Sequence, residues 1–226
     1  MKPKAILLGS IGVVAETSDI QRRAYNTAFK EAGLDWVWEV PVYKDLLLQN
    51  GGRDRLARLG QKANIGLSDD TVVAIHARKT ELACDEIEKL GVPLREGVDD
   101  LLVRAKKSHL FLAFVTTTYR SNIDAILRGS QPQIGLADFN LVLCTEDVTK
   151  TKPDSEVYEL ALKRLGLSAN ECLAIEDSET SLAAAKSAGI PTLATPGAFT
   201  AEQDFSSADW VYPSVAAFID SGEIQF

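Results

Sequence analysis

Ala5-Ile6-Leu7-Leu8-Gly9-Ser10-Ile11-Gly12-Val13-Val14-Ala15-Glu16-Thr17 is the stretch on which the fold turns. Residues 5–8 are an unbroken apolar run, the pattern of a strand buried on both faces. Gly9 to Gly12 then make a strand-to-loop turn with the outline D-x-D-G-[TV]-[LV], but Gly9 and Ile11 occupy the two positions where that outline carries acids.

Further short apolar runs lie at 110–115, 139–143, 172–175, 192–194 and 210–212, with helical periodicity between them at, for example, 122–127, 155–165 and 181–188. Gly166 and Gly189 stand where helix C-termini are expected. Strand–helix alternation of this kind predicts parallel strands, right-handed crossovers and a sheet covered on both faces. Residues 16–94 break the alternation: they read as helix at 20–31, 43–49, 53–62 and 69–90, with no strand pattern between. A helical block inserted after the first strand predicts a Rossmann-like α/β core of residues 1–15 and 95–226 and a helical cap of residues 16–94. The hinges fall near 14–17 and 93–96.

The chain has 226 residues, 46% of them apolar, and a net charge of −8. That composition suffices for a buried core, and the sign of the charge disfavours nucleic acid and anionic membranes as partners. No apolar window reaches the roughly 18 residues of a membrane-spanning helix. Met1-Lys2-Pro3-Lys4 leads directly into a strand without a secretory pattern, so a cytoplasmic location is expected. Cys84, Cys144 and Cys172 are odd in number and widely spaced, the pattern of buried free thiols. His76 and His109 lack partners at metal-ligand spacing and are expected to be structural.

Ligands of open parallel sheets bind at the carboxyl ends of the strands, and three further segments fall there. Thr116-Thr117-Thr118 offers hydroxyls and free N–H groups at a helix start, suited to a phosphate or to simple capping. Lys152 precedes Pro153, which holds it in extended backbone; it either aims its ammonium at a phosphoryl oxygen or lies solvated. Glu176-Asp177-Ser178 offers two carboxylates to Mg²⁺, or a helix cap.

In order and spacing these segments resemble the haloacid-dehalogenase (HAD) superfamily with a C1-type cap, in particular its CbbY-type and phosphoglycolate-phosphatase-like sugar-phosphate phosphatases and related phosphomutases. The resemblance rests on residues 113–118, 151–158 and 174–178 with 183–189 behind them, and in the cap on residues 23–29, 32–36 and Gly51-Gly52-Arg53. It implies that Thr116, with Thr117 beside it, hydrogen-bonds a phosphoryl group and that Lys152 neutralises charge there. It implies that Asp177 binds Mg²⁺ with support from Glu176, and that Gly51, Gly52 and Arg53 close the cap over a sugar phosphate. It also implies that Gly9 replaces the aspartate nucleophile, itself a metal ligand, and that Ile11 replaces the aspartate acid/base. Gln21 stands where related caps often carry histidine, and Ser181 replaces a glycine.

Gly9 cannot form an aspartyl-phosphate. Ile11 cannot move a proton, a loss of about 10²–10⁴ in rate. A magnesium site short of one carboxylate is weakened. Ser10, one residue along extended backbone, is expected to point away from the phosphate, and Glu16 lies further on near the hinge. The expected function is therefore a phosphatase homologue, inactive or strongly impaired, that binds a small phosphorylated metabolite as a monomer or homodimer. Two alternatives are an active hydrolase with a non-standard nucleophile and a structural or regulatory partner protein.

Overall fold

The computed structural model of the chain describes residues 1–48, 51–52, 55–58 and 67–226. Its centre is a six-stranded parallel sheet in the order β5-β3-β1-β6-β7-β8. The strands are β1 Ala5–Leu8, β3 Phe111–Val115, β5 Leu141–Leu143, β6 Cys172–Glu176, β7 Thr192–Ala194 and β8 Trp210–Val211. The central strands are apolar throughout because both faces are covered. Alternation sorts their side chains. Ile6, Leu8, Leu112, Phe114, Leu173 and Ile175 enter one apolar cluster, and Ala5, Leu7, Ala113, Val115, Cys172 and Ala174 enter the other.

Helices cover both faces. Among the described residues the helices of six residues or more are, in chain order, α1 Ser18–Glu31, α2 Val40–Leu47, α3 Asp69–Leu90, α4 Val98–Lys107, α5 Arg120–Gly129, α6 Glu156–Leu165, α7 Glu179–Ser187 and α8 Val215–Asp220. Leu101, Leu102, Ile123, Ile126 and Phe218 from α4, α5 and α8 fill the first cluster, while Val157, Tyr158, Ala161 and Ala184 from α6 and α7 fill the second. Gly166 closes α6 at φ 67° and Gly189 follows α7 at φ 73°, the left-handed backbone their positions call for.

Residues 18–90 contribute a third cluster, of Tyr25, Phe29, Trp38, Tyr43, Leu56, Val72 and Ile75. The Tyr25 and Trp38 rings lie 4.5 Å apart and those of Phe29 and Trp38 4.8 Å, the spacing at which aromatic pairs add about 0.5–1.5 kcal/mol beyond burial. Helix α2 starts at Val40 rather than near 43, because Pro41 in its first turn presets helical backbone. Of the helix expected at 53–62, residues 55–58 are helical and the rest lies outside the described residues. One expectation fails: the stretch to residue 94 is not purely helical. Val92–Pro93 forms a short strand, β2, parallel to β4 at Ser130–Gln131, and pairing with a loop of the sheet layer overrides the local pattern. The two connections to the sheet layer meet where Arg95 N–H donates to Val14 O at 2.9 Å.

Candidate functional site

The carboxyl ends of β1, β3 and β6 lie side by side, and the pleat divides the residues beyond them into two groups. Gly9 continues the Ala5, Leu7 row and Glu176 the Cys172, Ala174 row, both on the face covered by α6. There Glu176, 1% exposed, accepts hydrogen bonds from Lys152 Nζ and the Tyr158 hydroxyl. Lys152 also donates to Val115 O at 2.8 Å, and its Nζ stands 4.8 Å from the Tyr158 ring centre. Lys152 is thus buried, and the solvated alternative is excluded. Burial, and then the Glu176 charge, holds the Tyr158 phenol well above its ordinary range, so it stays a donor. A Cβ at Gly9 would lie 2.5 Å from Glu176 Oε2, so the glutamate occupies the room that a side chain at position 9 would need.

On the other face, Ser10 is not turned away as expected. Its hydroxyl lies 3.0 Å from that of Thr116 in a buried pair. Alternation does set Ser10 opposite Gly9, but the register that pairs Leu8 with Phe114 carries Ser10 to Thr116 two residues on. Thr116 Oγ1 also accepts from the Thr118 N–H at 3.1 Å, which ties the turn before α5. Both groups, with Thr117 and Ile11, line one cavity of about 310 Å³.

Asp177 follows Glu176 and so departs in the opposite sense. Burial, then the charges of Glu176 and Glu16, pushes its carboxyl well above the usual range. Its Oδ2 would lie 2.0 Å from a Cβ at Gly12, whose φ of +77° also calls for glycine. Arg95 donates to Gly12 O, to Thr195 O at 2.6 Å and to Pro196 O at 3.1 Å, stitching the segment that follows β2 to two loops of the floor. Among the described residues no three His, Cys, Asp or Glu side chains gather to hold a metal ion. The side-chain donor set does not fit Mg²⁺: Glu176 Oε1 is engaged by Lys152 and Tyr158, and Gly9 and Ile11 supply no side-chain oxygen.

The helical residues form the cavity roof. Gly51 and Gly52 line it, and a Cβ at Gly52 would lie 2.4 Å from the Tyr25 hydroxyl and 2.6 Å from His76 Nε2, so only glycine lets this segment approach. Arg53 lies outside the described residues. Lining residues outside the sequence motifs include Arg55, His76, Lys79 and Asn122. Nε and Nη1 of Arg55 are buried with no hydrogen-bond partner among the described residues. Gln21 Nε2 donates to Asn122 Oδ1 at 3.1 Å and Lys79 Nζ donates to Gln21 Oε1 at 2.8 Å, a polar chain from roof to floor. Each is an ordinary residue on a helix in the sequence, and only tertiary packing marks it.

Comparison with known proteins places this geometry. The model of the haloacid dehalogenase-like hydrolases matches residues 12–195. The chain is 38% identical over 217 residues to protein CbbY of Rhodobacter capsulatus, covering 96% of both chains. It is 39% identical over 219 residues to the plasmid-encoded CbbY of Cupriavidus necator, covering 93% of this chain and 85% of the relative. A crystal structure of a CbbY mutant from Rhodobacter sphaeroides in complex with xylulose-1,5-bisphosphate superimposes with a TM-score of 0.89 at 33% identity, over 94% of both chains. β-Phosphoglucomutase from Clostridium difficile, at 16% identity and a TM-score of 0.79, shares the fold.

Proposed function

The chain belongs to the haloacid dehalogenase-like hydrolase family, and we propose that it is a CbbY-like member that holds a sugar bisphosphate without hydrolysing it. The observation that carries this reading is a cavity polar at both ends whose floor has no carboxylate at position 9 or 11. At the floor, Thr116 and Thr117, the Ser10 hydroxyl and the start of α5 would take one phosphate, with Lys152 beside them. At the roof, Arg55 Nε and Nη1, without a partner among the described residues, would take the second, since buried donors left unmade cost about 1–3 kcal/mol. The relative crystallised with xylulose-1,5-bisphosphate supplies the ligand class. Residues 16–94 would act as the cap over residues 1–15 and 95–226, with Gly51 and Gly52 as its contact loop.

Phosphatases of this family generally use Mg²⁺. Here Lys152 already neutralises Glu176. Binding would proceed with the charge the chain itself supplies. Without a side-chain oxygen at position 9 no phosphoryl-enzyme forms there, and without a proton donor at position 11 that residue does not protonate the leaving oxygen.

The test measures thermal unfolding and phosphate release together, with xylulose-1,5-bisphosphate in Mg²⁺ or in EDTA. The expected result is stabilisation of about 2.7 kcal/mol at a ligand concentration one hundred times Kd, unchanged by EDTA and without phosphate release. Magnesium-dependent release would show an active hydrolase with another nucleophile. Absence of any stabilisation would favour a structural or regulatory partner protein.

A further inference from the structure

Lys79 is a buried lysine that the phosphate chemistry leaves unused. It projects from α3, is 6% exposed, and lines the cavity. Among the described residues its Nζ makes one hydrogen bond, 2.8 Å to the amide oxygen of Gln21, and lies 4.8 Å from the Tyr25 ring centre. No described carboxylate pairs with it. A lysine removed from water without a counter-ion is rare, because the ammonium loses its hydration with nothing in return. Here the surroundings add to the penalty. Burial comes first, the Arg55 guanidinium second, and together they push the amine down to about 7. At neutral pH it is an amine on the order of a thousand times more often than an exposed lysine.

We propose that Lys79 is a nucleophile that captures the carbonyl carbon of an open-chain aldose or ketose in this cavity as a reversible imine. The Nζ lone pair adds to the carbonyl carbon while the C=O π pair moves to oxygen, which takes up a proton as Nζ loses one, giving a carbinolamine. Loss of water then leaves the C=N bond, and water reverses the step. No oxidant or metal is consumed. Desolvated lysines next to a second cation are activated for this chemistry, and Tyr25 gives the iminium an aromatic face. The amine chemistry stands on its own; its sugar ligand rests on the reading of the cavity as a sugar-phosphate site.

The intact protein is incubated near neutral pH with glyceraldehyde 3-phosphate or with glyceraldehyde, each with sodium cyanoborohydride, and modified lysines are mapped by peptide mass spectrometry. The expected result is one reduced adduct per chain, at Lys79, forming at least about tenfold faster than at any other lysine. It disappears in Lys79→Arg and in Lys79→Met. Excess inorganic phosphate slows the phosphorylated aldehyde alone. Adduct at Lys79 with both aldehydes at equal rates, indifferent to phosphate, upholds the nucleophile and counts against the phosphate reading. Modification spread over surface lysines with Lys79 spared overturns the proposal, even where phosphate or a bisphosphate still stabilises the fold. Because the wild-type map alone decides this, a variant that fails to fold leaves the test intact.

Discussion

A methyl group at Gly9 would meet Glu176 Oε2 at 2.5 Å and Val13 Cγ2 at 2.8 Å. Glu176 is held by Lys152 and Tyr158 and cannot swing aside freely. Gly9→Ala should therefore lower unfolding stability by about 1–3 kcal/mol. In a urea-denaturation double-mutant cycle with Glu176→Ala, the two changes should couple by about 0.5–3 kcal/mol; additive effects would show that the two side chains do not compete for space. Restoring phosphatase activity with Gly9→Asp and Ile11→Asp meets the same obstacle and calls for a change at Glu176 as well. Lys79 gives a pH signature. Its folded-state value of about 7 lies below its ordinary 10.5, so between those values the unfolded chain binds more protons and stability rises with pH. Lys79→Met should stabilise the protein by a few kcal/mol near pH 6, roughly the scale of a shift of several pKa units, and its advantage should fade as pH approaches 10. An advantage independent of pH would count against a destabilised ammonium. The turn that carries Gly9 and Ile11 was legible in the sequence because it directly follows an apolar run in a fixed frame. The orientation of Ser10 was not, since it depends on the register of two strands, and Lys79 was not, since a lysine at a helical position reads as solvated.

At the scale of elements, two glycines with left-handed backbone should behave differently. Gly166 ends α6 with open space around it, whereas Gly12 sits beneath Asp177. Gly166→Ala should cost about 1 kcal/mol, the conformational term alone. Gly12→Ala should cost clearly more, since strain and overpacking each contribute about 1–3 kcal/mol; equal losses in thermal unfolding would mean that Asp177 yields. The long elements were readable from periodicity: α3 spans Asp69–Leu90, as expected, and β1 and β7 match their apolar runs. The short ones were not. β2 and β4 have two residues each and exist through pairing with one another, which no local pattern encodes.

At the scale of the molecule, the aromatic cluster of residues 18–90 is separate from the two clusters that flank the sheet. Phe29→Ala should cost about 3–5 kcal/mol, with faster hydrogen exchange in α1 and α3 while β1, β3 and β6 keep their protection. Uniform loss across the sheet would instead make the molecule one cooperative unit. The Rossmann-like layering followed from alternation in the sequence, but the meeting of Arg55 and Lys79 over one cavity required long-range folding. The glutamate lodged against Gly9 also has a historical reading. A lineage that gained an acid at position 9 by a single codon change would pass through an overcrowded, less stable intermediate unless the glutamate had been altered beforehand. Any side chain at position 9 is then obstructed until position 176 has changed, so the order of the two substitutions matters.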